Sequence, residues 1–183
     1  MRQLILAASL VASLTACSEA SSQGKDTVAK APAVETPPPP VPGPLGEALT
    51  AYDELQRGLA KDDATAGAAA ARLAAAAQGA AAAATGATKP PLTELAAAAT
   101  KLAEQMKAQP APAIDVQRAA FAEMSKALIG AMVADPTLQK GRFIFECPMA
   151  PAYKRWVQTH GKLQNPYWGK KMLECGESVA WGV

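Results

Sequence analysis

Leu45-Gly46-Glu47-Ala48-Leu49-Thr50-Ala51-Tyr52-Asp53-Glu54-Leu55-Gln56-Arg57-Gly58-Leu59-Ala60 decides the fold class. Leu45, Ala48, Leu49, Tyr52, Leu55 and Leu59 recur three or four positions apart. That spacing gathers them on one stripe of a helix and predicts an amphipathic helix over 45–60. Lys61-Asp62-Asp63 breaks the pattern, and either aspartate can cap a following helix. The next stretch, about 64–84, is alanine around Arg72 and Leu73. Alanine is the strongest intrinsic helix former, so this reads as a second helix whose small side chains allow close packing.

Outward from there, Gly86, Pro90 and Pro91 mark a turn. Leu92, Leu95, Ala99, Leu102 and Met106 then repeat at helical spacing to about Lys107, and Pro110 and Pro112 stop the third helix. A fourth is expected from Ile114 to Val133, with Phe121, Met124, Leu128, Ala131 and Met132 on one face and Asp115 in its first turn. Asp135-Pro136 ends it. Met106, Met124 and Met132 lie on apolar faces and read as core. The expectation is a mainly α protein, an antiparallel up-down bundle of about four helices over 45–136, with a small two-stranded β element after it.

Before the bundle, Met1-Arg2-Gln3 precedes an apolar run, Leu4 to Leu14, too short to span a bilayer. The run ends in Leu14-Thr15-Ala16-Cys17, which resembles a bacterial lipobox. Residues 1–16 are therefore expected to be a lipoprotein signal peptide, and Cys17 the lipidated N-terminus of the mature chain. Ser18 and Glu19 follow, with no aspartate at the first position, which favours the outer membrane. Residues 17–44, rich in proline, are expected to be a disordered tether facing the periplasm. In polyproline II at about 3.1 Å per residue it reaches roughly 80 Å.

Residues 137–183 differ in composition. They hold Phe143, Phe145, all three tryptophans, Tyr153, Tyr167, the only histidine (His160) and both remaining cysteines. Arg142 to Glu146 and Glu177 to Trp181 read as strands, Pro151 to His160 as a short helix, and Asn165-Pro166-Tyr167-Trp168-Gly169 as a turn. Antiparallel pairing of the two strands brings Cys147 beside Cys175. In extended chain Met149 points the same way as Cys147, and Met172 shares a helical face with Cys175. Four sulfurs at one end of a small sheet suit a soft ion, Cu(I) above all, with His160 as an added ligand. The other reading is a disulfide between Cys147 and Cys175, expected outside the cytoplasm, with the methionines as packing residues.

Cys147-Pro148-Met149-Ala150, Trp156, and the run Asn165-Pro166-Tyr167-Trp168-Gly169-Lys170-Lys171-Met172-Leu173-Glu174-Cys175-Gly176-Glu177 carry a resemblance. They resemble a bacterial periplasmic family of unknown function. It occurs as stand-alone lipoproteins and at the C-terminus of adaptor subunits of copper/silver-type heavy-metal efflux pumps. Arg118, Phe121 and Ser125 resemble its helical part, and the match departs between Ala150 and Leu163. The resemblance implies an extracytoplasmic role in heavy-metal handling, with an efflux adaptor as partner.

Other classes fit less well. The net charge is +2, with no interleaving of aromatic and basic residues on a helix face, which argues against nucleic acid. Haem attachment lacks Cys-x-x-Cys-His. Zinc at Cys147, Cys175 and His160 would lack the paired spacing of structural zinc sites. A cysteine–histidine catalytic pair has no accompanying oxyanion site, so no enzyme is expected. Two functions remain: a lipid-anchored protein that binds Cu(I) and buffers it or hands it to an efflux system, or a disulfide-stabilised interaction module without metal.

Overall fold

The computed structural model describes residues 37–182. The expected signal peptide, Cys17 and the first part of the tether lie outside them. The described residues belong to one compact unit. Four helices carry it: α1 (Gly43–Ala60), α2 (Ala69–Ala83), α3 (Lys89–Gln105) and α4 (Ile114–Ala134). Each packs on its successor in the up-down order that short connections dictate.

The expected leucine stripe is the core. Leu55, Leu59, Leu73, Leu95, Leu102, Phe121, Met124 and Met132 are fully buried, whereas Met106 is only half-buried. Alanine lets α2 sit close to both neighbours, because seven of its alanines are buried around the single Leu73. Close approach also needs glycine: a Cβ on Gly79 would lie 3.0 Å from the Pro44 ring.

The connections use polar side chains, although neither Asp62 nor Asp63 caps α2 as expected. Asp63 accepts from the Thr65 N–H at 2.8 Å and leads into a single 3-10 turn, Ala66–Ala68, before α2. Gln117, fully buried, accepts from the Gly67 N–H at 2.9 Å and donates to the carbonyls of Ala64 and Pro112. One amide thus ties the start of α4 to the start of α2.

The spacer expected through Pro44 ends earlier. Gly43 and Pro44 already belong to α1, and Val41 packs against the core. Proline is tolerated in a first helical turn because the N–H it lacks would be unpaired there.

The C-terminal part is a three-stranded antiparallel sheet in the order β2-β1-β3, with β1 (Phe143–Glu146) central, β2 (Arg155–Gln158) and β3 (Glu177–Ser178). The expected pairing of the first and last strands is present, with Phe145 opposite Ser178 and Glu146 opposite Glu177, although β3 is two residues long. The short helix expected over Pro151–His160 is absent; four of its residues are β2. Arg155-Trp156-Val157-Gln158 is bulky or β-branched and pairs with β1 throughout. The Arg155–Glu146 ion pair (2.6 Å) and the stacking of Trp156 on Phe145 (5.7 Å between centroids) fix the register.

The sheet positions the site because it seats in the bundle. α1 and α4 touch each other sparsely, and β2 packs against both. Tyr52 of α1 bonds Ser125 of α4 at 2.6 Å and accepts from the Val157 N–H of β2 at 3.3 Å. Burial raises the Tyr52 pKa and keeps this junction hydroxyl neutral.

Candidate dithiol centre

Cys147 follows β1 directly. Its N–H donates to the Lys154 carbonyl at 3.0 Å, extending the β1–β2 ladder by one residue, and its side chain is fully buried. Its carbonyl then accepts from the Ala150 N–H at 3.0 Å, closing a tight turn through Pro148 and Met149. That turn sends Met149 into solvent, where it is 61% exposed. The extended chain expected to align Met149 with Cys147 does not form, because proline followed by an i to i+3 hydrogen bond favours the turn.

Cys175 arrives from the other side. Gly169–Met172 forms a 3-10 turn, and the Cys175 N–H donates to the Met172 carbonyl at 3.0 Å. Met172, half-buried, therefore lies one turn before Cys175, as the spacing predicts. The next residue explains how Cys175 reaches β1. Gly176 has φ +140°, and a Cβ there would lie 2.8 Å from the Glu146 carbonyl oxygen and 3.1 Å from the Trp156 ring. Only glycine fits that approach.

The two Sγ atoms are 3.0 Å apart. The hydrogen bond with Cys147, then burial, then the charge of Cys147 raise the Cys175 thiol above its ordinary pKa.

Asn165 holds the arrangement. It is fully buried. Its amide donates to the Cys175 carbonyl at 2.7 Å, its backbone N–H donates to the Leu173 carbonyl at 2.8 Å, and its Oδ1 accepts from the N–H groups of Tyr167 and Trp168. Arg118 anchors the same loop to the helices: Nε donates to the Pro166 carbonyl at 3.0 Å and Nη2 to the Leu59 carbonyl at 3.2 Å. Arg118 also pairs with Asp62, which accepts from the Lys170 N–H at 3.1 Å. Gly169, at φ +56°, leaves room for this knot, since a Cβ would collide with Asp62. The Asn-Pro-Tyr-Trp-Gly run, legible in sequence only as a turn, is thus the bracket that sets Cys175. An asparagine before proline was the available signal, because its side chain makes Asx-type turns.

His160 is not brought to the thiols. Phe143 pairs with Gln158 at one end of the β1–β2 ladder, and Glu146 with Arg155 at the other. His160 lies past the first end and Cys147 past the second. The His160 Nδ1 is 2.8 Å from the Lys162 carbonyl and 3.0 Å from the Gln158 amide. Trp156 beside the centre is fully buried, with its N–H on Gln158, while Trp168 carries Lys171 over its ring at 5.4 Å. Among the described residues no group of three or more His, Cys, Asp or Glu gathers as a metal site, and no helix is long and apolar enough to cross a membrane.

Two chemistries suit two thiols at this distance. A disulfide needs Sγ atoms at about 2.05 Å, roughly 1 Å closer. A two-coordinate ion bound linearly at about 2.3 Å to each sulfur, the length of a zinc–thiolate bond, needs them about 4.6 Å apart. No family model, curated protein or solved structure matches the chain, so the choice rests on this geometry.

Proposed function

We propose that the chain is a membrane-tethered interaction module of the cell envelope, closed by a Cys147–Cys175 disulfide and not dependent on bound metal. The observation that carries this is the 3.0 Å approach of the two sulfurs, with Cys147 fully buried. Bond formation moves the pair by less than uptake of a linearly bound ion does. Oxidation needs an external two-electron acceptor, as an envelope thiol oxidase supplies: it takes two electrons and both thiol protons as the S–S bond forms. The tether and lipid anchor expected from Cys17 supply the oxidising location.

The bond links the end of β1 to the segment entering the two-residue β3. Its chain-entropy contribution is on the order of 3 kcal/mol. For a unit of this size, Cys147→Ser with Cys175→Ser lowers the Tm by roughly 10 °C relative to the oxidised protein. A double variant as stable as the oxidised wild type would remove the proposal's basis.

One observation favours a second reading, in which the reduced pair takes up Cu(I) for buffering or transfer to an efflux adaptor. Met172, half-buried and one turn before Cys175, offers a third soft ligand. Titration of the anaerobically reduced protein with Cu(I) against a competing chelator separates the readings. The disulfide module binds weakly, and Met172→Leu changes nothing. Tight binding that Met172→Leu weakens would support the metal function instead.

A further inference from the structure

The two cysteines of the dithiol centre are not equivalent. Cys147 is fully buried. Both of its backbone groups are committed, the N–H to the Lys154 carbonyl and the carbonyl to the Ala150 N–H, each at 3.0 Å. Cys147 is thus fixed to the end of the central strand and to the turn that follows it. Cys175 is half-buried, as are Met172 and Leu173 before it and Gly176 after it, while Glu174 and Glu177 are exposed. Cys175 lies at the rim and is the member of the pair with surface in solvent. A reagent too large to enter the fold meets Cys175 first, and reaches Cys147 only through a local opening.

The separation of the sulfurs makes this order productive. With the Sγ atoms 3.0 Å apart, a group joined to Cys175 stands beside the Cys147 thiol from the moment it is attached. The second step is then an intramolecular displacement between reactants already in place.

We propose that Cys175 is the thiol–disulfide exchange site of the chain and Cys147 its resolving thiol, the co-reactant being an external disulfide. This rests on the disulfide reading of the centre and assigns its order of events. The Cys175 thiolate attacks one sulfur of the external disulfide. A bond forms between Cys175 and that sulfur, and the other sulfur leaves as a thiolate that takes up the proton Cys175 gave. The Cys147 thiolate then attacks the Cys175 Sγ, closes the intrachain bond and expels the second sulfur, which takes up the Cys147 proton. Two protein thiols are oxidised and one external disulfide is reduced to two thiols.

The test uses the full chain carrying Cys17→Ser, reduced and then exposed to glutathione disulfide. Samples are quenched in acid at intervals, and peptide masses locate the attached glutathione. The expected intermediate carries it on Cys175 and decays to the intrachain disulfide. In Cys147→Ala the adduct on Cys175 persists. In Cys175→Ala, with its fold checked by circular dichroism, Cys147 is loaded about tenfold or more slowly, because burial shields it. In urea both single variants are loaded at similar rates. Should either variant fail to fold, limiting iodoacetamide on the reduced two-thiol protein gives the same answer, with Cys175 labelled first. An oxidised bacterial envelope thiol oxidase, used in place of glutathione disulfide, is expected to form its mixed disulfide on Cys175 as well. Whichever donor is faster at equal concentration identifies the source as a protein or a small molecule. An intrachain bond that forms with the adduct first on Cys147, or with equal loading of the two cysteines, overturns the proposed order and leaves the disulfide reading standing. Failure of the intrachain bond to form at all overturns both.

Discussion

Asn165 joins the two halves of the dithiol centre, because its amide holds the Cys175 carbonyl while its Oδ1 gathers the next turn. Replacing it by alanine strands buried polar groups and is expected to lower stability by about 2–3 kcal/mol. It is also expected to slow disulfide formation in the reduced protein, read by timed alkylation; an unchanged oxidation rate would show that Asn165 does not position Cys175. Asp62 gives a pH dependence. Partial burial pushes its carboxyl up, but the hydrogen bonds and charges of Arg118 and Lys170 outweigh it, so its pKa in the fold is depressed. A depressed carboxylate contributes stability that is present above its unfolded pKa and is lost as pH falls through its folded value. Asp62→Asn should therefore flatten the loss of stability below the ordinary carboxylate range, measured by urea unfolding across that interval. The cysteine pair was legible at this scale and its supports were not. Thiol chemistry announces itself by residue type, whereas Arg118 and Asn165 act through backbone groups distant in sequence, and the asparagine before proline signals only a turn.

Among the elements, β2 is where local reading and structure part. Pro151–His160 has no long apolar repeat to support the short helix expected there. Tertiary context decides it instead: Trp156 stacks on Phe145 and meets Tyr167 edge-on at 5.8 Å, while Phe121 and Tyr52 continue the aromatic contact into α4 and α1. Trp156→Ala removes the fully buried centre of that chain and is expected to cost about 3–5 kcal/mol. Loss of near-ultraviolet dichroism with retained helical signal would report it. The helices were legible to within a few residues: α2 begins at Ala69 and not at 64, and Pro90 and Pro91, expected in the turn, open α3. Their leucine period and proline stops are local signals, whereas a four-residue strand between turns depends on partners distant in sequence.

At the scale of the whole molecule, the four-helix bundle is incomplete without its C-terminal sheet, because β2 occupies the place where α1 and α4 would otherwise meet. This arrangement was foreseeable only in part. The pairing of the first and last strands follows from their composition, but the seating of β2 between α1 and α4 follows from Tyr52, Ser125 and the Val157 amide acting together. At one corner of the sheet two sulfurs meet at 3.0 Å. The central claim is that these sulfurs are bonded to each other in the cell envelope. Isolation of the full chain from the envelope, alkylation without reductant and mass spectrometry of the peptides carrying Cys147 and Cys175 test it most directly. The account predicts that neither cysteine is alkylated and that the two peptides are recovered joined, separating only after reduction. Both cysteines alkylated in the folded, unreduced protein would contradict it.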